Sequence, residues 1–424
     1  MNMKITKVIG REIFDSRGLP TIECELALEA GKNQFASVKA SVPSGKSTGT
    51  HEALELRDKK SRLGGKGVIK AIRNLEDIIA PAIIGKEPDI VALDIAMLSV
   101  DGTDNKSKLG ANTILAASLA ILKAQAVSNG LEPYELIAML CNLDTISIPI
   151  PMFNFINGGL HAKNNLDIQE FMVVPTGKSS FRSSMESAAE LFYNLGAILQ
   201  EKNIKTCMGD EGGFAPDLSN TKEALDILMQ TIEKTPQADG EFALSLDIAA
   251  STLYNKKTKI YTLSGKKYSP EKLMTYYEEL ITNYPIISIE DPFSEDDLES
   301  WKAFTSKFGE KIQIVGDDLF VTDPEKILKG AQEKVANCSL IKPNQIGTVT
   351  ETLQAIITSK ENGLDTIVSH RSGETNDTSI VDIAIGTQAG QIKAGGLTRG
   401  ERLAKYNRLL RIEDKLTMQA LNNS

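Results

Sequence analysis

At 424 residues, 41% of them apolar, the chain is long enough for two domains, or for one large domain with a smaller attachment. Its 47 basic and 56 acidic residues leave a net charge of −9, ordinary for a soluble enzyme and against a general nucleic-acid or membrane-surface binder. Four cysteines (Cys24, Cys141, Cys207, Cys338) without CxxC or CxxH spacing read as small buried hydrophobes in a reducing compartment.

The opening MNMKITKVIG has no apolar stretch of the kind a secretory signal needs. The longest window free of Lys, Arg, Asp and Glu, residues 145–162, is broken by Pro149, Pro151, Gly158 and Gly159, which excludes a spanning helix there. A cytoplasmic location is the expectation. Residues 4–42 read as three strands. Ile22, Cys24, Leu26 and Leu28 alternate with Glu23, Glu25, Ala27 and Glu29, the period of a sheet with one wet face, and turns fall at 18–20 and 31–33. Helical patterns follow over 68–84, 88–99, 110–128 and 133–140, the third stopping at Asn129-Gly130. Strands first and helices after predict a compact α+β domain over residues 1–140.

A proline-bounded connector (148–151) opens the second region, 141–424. From about residue 242 the pattern becomes regular: an apolar run, a polar residue at its end, a loop, an amphipathic helix. The run ends are Asp247, Glu290, Asp317, Lys342, His370-Arg371 and Lys393, spaced 43, 27, 25, 28 and 23 residues apart. An eight-stranded β/α barrel allots about thirty residues to each unit and gathers active-site groups at the C-terminal strand ends. A doubly wound open sheet shows the same alternation. The barrel is preferred because polar ends from six consecutive units must converge, and a closed mouth brings them together.

Three of those ends are carboxylates and three are cationic. Carboxylates brought close repel unless a cation sits among them, and all-oxygen ligation suits a hard divalent ion such as Mg²⁺. Each acid alone is explained as readily by a turn or helix cap. Arg371-Ser372-Gly373 offers a guanidinium, a hydroxyl and flexible backbone for phosphate. Lys342 closes the run NCSLIK and, if its proton is lost, can act as a general base. Metal, anion clamp and lysine together describe proton abstraction α to a carboxylate. An acid for a departing β-hydroxyl is offered by Glu211 in GDEGG or by Glu170 in QE, though such strings also occur as solvated turns.

The sequence resembles the enolase family along nearly its whole length. The segments that carry the likeness include GREIFDSRG (10–18), HEALELRD (51–58), FINGGLHAKNNLDIQEFMVVP (155–175) and GDEGGFAPDL (209–218). Further on they include SIEDPFSEDD (288–297), VGDDLFVTDP (315–324), LIKPNQIGTVTETL (340–353), SHRSGET (369–375) and AGQIKAGG (389–396). The resemblance implies an N-terminal α+β capping domain and a TIM-like barrel of atypical β/α order. It implies reversible dehydration of 2-phosphoglycerate to phosphoenolpyruvate with two Mg²⁺ per active site, in a homo-oligomer, a dimer or an octamer. Lys342 is then the base at C2, and Glu211 the acid at the C3 hydroxyl with Glu170 assisting. Asp247, Glu290 and Asp317 hold the first Mg²⁺, and Ser47, on a lid loop of the N-terminal domain, joins the second when the lid closes. Arg371 and Ser372 take the phosphate, Lys393 the substrate carboxylate, and His161, Gln169 and His370 line the site. The resemblance also extends to surface display without a signal peptide, and no nucleic acid or membrane span enters it.

The chain departs from the family at Lys46, where a small residue is usual, and at Leu19, Thr252 and Gly400. Lys46 creates a near match to the phosphate-binding GxxxxGK[ST] of nucleotide hydrolases, Ala40 to Ser47. That reading needs a helix starting within the motif, where Gly49 and Thr50 interrupt, and it leaves Lys342, Arg371 and Lys393 without a role. A non-catalytic scaffold is a further alternative, against which the intact base, acid and clamp candidates argue.

Overall fold

A computed structural model describes residues 3–423 apart from 32–33, 48, 60, 237 and 239. β1 (Lys4–Phe14), β2 (Pro20–Ala30) and β3 (Gln34–Ser41) form an antiparallel meander. Ile22, Cys24, Leu26 and Leu28 are fully buried, while Glu23 and Glu25 on the opposite face pair with Arg11. The first turn is held by Asp15, whose carboxylate accepts the N–H groups of Arg17 and Leu19. The second, at 31–33, lies partly outside the described residues.

Helices follow over residues 69–83 (with a π turn at Leu75–Ile79), Ile90–Asp101, Ala111–Asn129 and Pro133–Leu140. Ala111–Asn129 packs across β2 and β3. By length and composition it is able to cross a membrane, but 83% of its apolar window is buried inside the protein, which makes it the core helix of this domain. It stops at Gly130, whose φ of 69° is the left-handed conformation that glycine takes at a helix end.

In the second region eight described strands close into a barrel. They are β4 (Ile150–Asn157), β5 (Glu170–Thr176), β6 (Glu241–Asp247), β7 (Ile286–Glu290), β8 (Gln313–Gly316), β9 (Cys338–Ile341), β10 (Asp365–Ser369) and β11 (Gln391–Gly395). β11 pairs with β4 and completes the circle, so the α/β barrel expectation holds and the open sheet does not.

Seven of these strands run parallel; β5 runs against both its neighbours. The cause is local: a parallel partner needs a crossover helix, and residues 158–169 hold only one short helical turn, Gly159–His161. The chain therefore opens β-β, follows with helices Phe181–Glu201 and Thr221–Glu233, and only then settles into β/α repeats. The reversal brings the N-terminal end of β5 to the mouth where the other strands end, in register with Asp247.

Candidate active site

The mouth gathers Ser47, His161, Gln169, Glu170, Glu211, Asp247, Asp317, Lys342, His370, Arg371, Ser372 and Lys393 around a cavity of about 20 Å³, room for roughly one water. Glu290 stands just behind, 2.8 Å from Lys393 Nζ. Lys342 and Glu170 sit at the ends of strands four apart in an eight-strand barrel, so they face each other across it.

On one side, Lys342 Nζ lies 2.5 Å from Asp317 Oδ2. Burial favours loss of the ammonium proton, but Asp317 outweighs it and holds Lys342 above the ordinary lysine value. Burial would likewise raise Asp317, yet the Lys342 charge leaves it lowered. Gln345 donates to Asp317 Oδ1 at 2.9 Å and accepts from Thr322, whose hydroxyl also receives the Lys342 backbone N–H. The PNQ that follows the lysine thus fastens lysine and carboxylate together.

Lys393 Nζ reaches Glu170 (3.2 Å), Asp247 (3.3 Å) and Glu290 (2.8 Å). Burial first, and then the charge of Asp247, push Glu290 well above the usual carboxylate range. Asp247 is also raised, by burial, against the pull of Lys393.

Across the mouth, His161 Nδ1 sits 3.3 Å from Glu170 and 3.2 Å from Glu211. Burial alone would strip its proton; the two carboxylates, Glu211 foremost, raise it to about 10. Glu211 is lowered in turn by the imidazolium, against burial. Its other oxygen accepts from Asn154 at 3.0 Å and lies 3.7 Å from His370 Nε2. His370 is neutral: burial and the Arg402 charge drive it well below its usual value. Its Nδ1 faces the Arg402 guanidinium at 2.6 Å, a group that only donates, so the ring proton belongs on Nε2, toward Glu211.

Two family models match this chain, the Enolase N-terminal domain over residues 5–137 and the Enolase C-terminal TIM barrel domain over residues 145–423. The chain belongs to the enolase family. It is an enolase-type dehydratase of a small-molecule substrate, in a family that typically uses metal ions.

The residues present fit a hard divalent cation. Glu290 Oε1 is buried and accepts no hydrogen bond, although Asp247 and Asp317 stand close enough to perturb its protonation, and the donor set is all oxygen. Asp247, Glu290 and Asp317 each face a lysine ammonium, and the groupings whose ligand atoms do come within 4.8 Å of one another among the described residues are His161–Glu170–Glu211 and Asp291–Asp317–Asp318. The first is occupied by its own imidazolium. In the second, Asp291 spends both oxygens on the backbone N–H groups of Asp317 and Asp318 and so shapes the loop after β8. Burial and Asp317 push Asp318 up to about 8.

Several enolase-site residues escape sequence reasoning. Arg371 donates to both Glu52 oxygens (3.0 and 3.1 Å), to Asn344 (3.1 Å) and to the Ser47 carbonyl (2.9 Å). Arg17, reaching in from the first domain, donates to the Ser372 hydroxyl at 3.4 Å. Arg402, fully buried, also donates to the carbonyls of Arg371, Ser372 and Asp210. Glu52, Arg17 and Arg402 stood inside or beside recognisable motifs, but nothing local marks what they touch. As for the nucleotide-hydrolase alternative, no helix starts at the described residues 44–47 or 49–51, and the strand before them belongs to the antiparallel meander.

Proposed function

We propose that the protein catalyses the reversible, Mg²⁺-dependent dehydration of 2-phosphoglycerate to phosphoenolpyruvate. The observation that carries this reading is the placing of a lysine and a Glu–His–Glu cluster on opposing strand ends of one closed mouth, with three carboxylates between. Such a pair sets a base and an acid on opposite sides of one mouth.

In this reading the neutral amine of Lys342 takes the C2 proton, and the C3 hydroxyl leaves as water from the side of Glu211. The proton for that departure is held by the Glu170–His161–Glu211 cluster as a unit, carried on the imidazole and passed through Glu211. Arg371 and Ser372 bind the phosphate, with Glu52 and Arg17 fixing their orientation. Lys393 pairs with the substrate carboxylate, lined by Gln169 and by His370, whose Nε2–H is held in place by Arg402. Asp247, Glu290 and Asp317 would hold one Mg²⁺ and Ser47 would contribute to a second, supplying positive charge where the substrate carboxylate gains electron density, as is general in this superfamily. A cytoplasmic homo-oligomer, dimer or octamer, completes the proposal; light scattering sizes it. Purified protein given 2-phosphoglycerate and Mg²⁺ is expected to show rising ultraviolet absorbance from the enol product. No signal from well-folded protein overturns the reading.

A further inference from the structure

The segment between β3 and the first helices passes over the mouth and is fastened by buried contacts. Ser44 and Gly373 exchange backbone hydrogen bonds of 2.8 and 2.9 Å. Arg371 holds the Ser47 carbonyl and, five residues on, the Glu52 carboxylate. Gly45 lies so close to that guanidinium that a Cβ there would stand 1.9 Å from Nη2.

Between these fixed points Lys46 faces outward, and none of the chemistry above uses it. Its Nζ donates to Asp210 Oδ2 at 2.9 Å. Asp210 is a firm anchor: its N–H donates to the His161 carbonyl (3.1 Å) and its own carbonyl accepts from buried Arg402 (3.1 Å). The next residue is Glu211. The ion pair therefore ties the covering segment to the stretch that carries the acid.

We propose that Lys46 is a positioning residue of the reaction, whose pairing with Asp210 holds Ser47 over the mouth in register with Glu211. The kinetic part of this proposal rests on the dehydratase reading; the structural part does not. With side chains 42% and 29% exposed, the pair can bias closure by no more than about five-fold and is weakened by salt. A clasp acting on the closed form raises KM by the factor lost and spares kcat while closure still dominates with substrate bound.

The test is a double-mutant cycle of Lys46→Ala and Asp210→Asn, with the charge swap Lys46→Asp/Asp210→Lys as rescue. It is read by steady-state kinetics on 2-phosphoglycerate and by hydrogen exchange of the 42–52 peptides in metal-free full-length protein. Each single change is expected to raise KM about two- to five-fold with kcat within about two-fold. The double change should cost no more than either single one, the swap should recover most of the loss, and the differences should fade at about 0.5 M salt. Exchange over 42–52 should quicken in both single variants while barrel-strand peptides stay unchanged. A Lys46→Ala effect undiminished in the Asp210→Asn background overturns the proposal, since Lys46 would then act on the substrate directly. Unchanged exchange over 42–52 overturns it as well. If the wild type does not turn over 2-phosphoglycerate, the dehydratase reading fails while the exchange measurement still decides the clasp.

Discussion

In the proposed reaction Lys342 is the residue on which the chemistry turns, and its surroundings hold it in the wrong protonation state for a base. Asp317 keeps the ammonium charged more strongly than burial discharges it. The base becomes available only when the Asp317 charge is offset, so the Lys342 titration is expected to move down on adding Mg²⁺. A midpoint indifferent to the metal would argue against this account. His161 is the other poised group. Its folded pKa of about 10 lies above the ordinary imidazole value of 6.5, so its contribution to stability is complete below about pH 6.5 and is lost as pH rises through about 10. Imidazole NMR of metal-free protein should show His161 still charged at pH 8, and Glu211→Gln should bring the midpoint down. An unmoved midpoint would mean Glu211 is not the carboxylate that holds the proton.

At the scale of elements, the parallel strands explain what could be read in advance. Asp247, Glu290, Asp317, Lys342 and Lys393 each close an apolar run, and a parallel barrel sends every such end to one face. Glu170 obeys no such rule, because β5 runs backward and delivers its first residue to the mouth; the residues alone marked it only as one of two candidate acids, and the family likeness gave it its assisting role. Arg402 was invisible for another reason. It acts on Ser16, Asp210, His370 and Ser372, partners from 30 to 386 residues away, and no spacing encodes contacts of that range. Its fork makes donor pairs that a lysine cannot reproduce. Arg402→Lys is expected to cost about 2–3 kcal/mol in denaturant unfolding, the scale of one or two hydrogen bonds to a charged group. It should also lower kcat by freeing the His370 ring. Wild-type stability in that variant would remove Arg402 from the positioning role.

For the whole molecule, the site belongs to both domains. The barrel supplies the acids and bases, and the N-terminal domain supplies Arg17, Ser44, Ser47 and Glu52, which orient or cover them. A buried cluster of charges this dense should respond to its cation. Mg²⁺ at about one hundred times its dissociation constant should stabilise the fold by about 2.7 kcal/mol, seen as a higher melting temperature. Glu290→Gln should abolish most of that shift; an equal shift in the variant would move the metal elsewhere.

The central claim is that Lys342 removes the C2 proton while the Glu211 cluster releases the hydroxyl. Solvent deuterium exchange at C2 of 2-phosphoglycerate, followed by NMR with Mg²⁺ present, separates the two steps. Wild type should both exchange and dehydrate, and Glu211→Gln should exchange while dehydration falls by about 10²–10⁴. Lys342→Ala should do neither; C2 exchange at the wild-type rate in a folded Lys342→Ala variant would contradict the account.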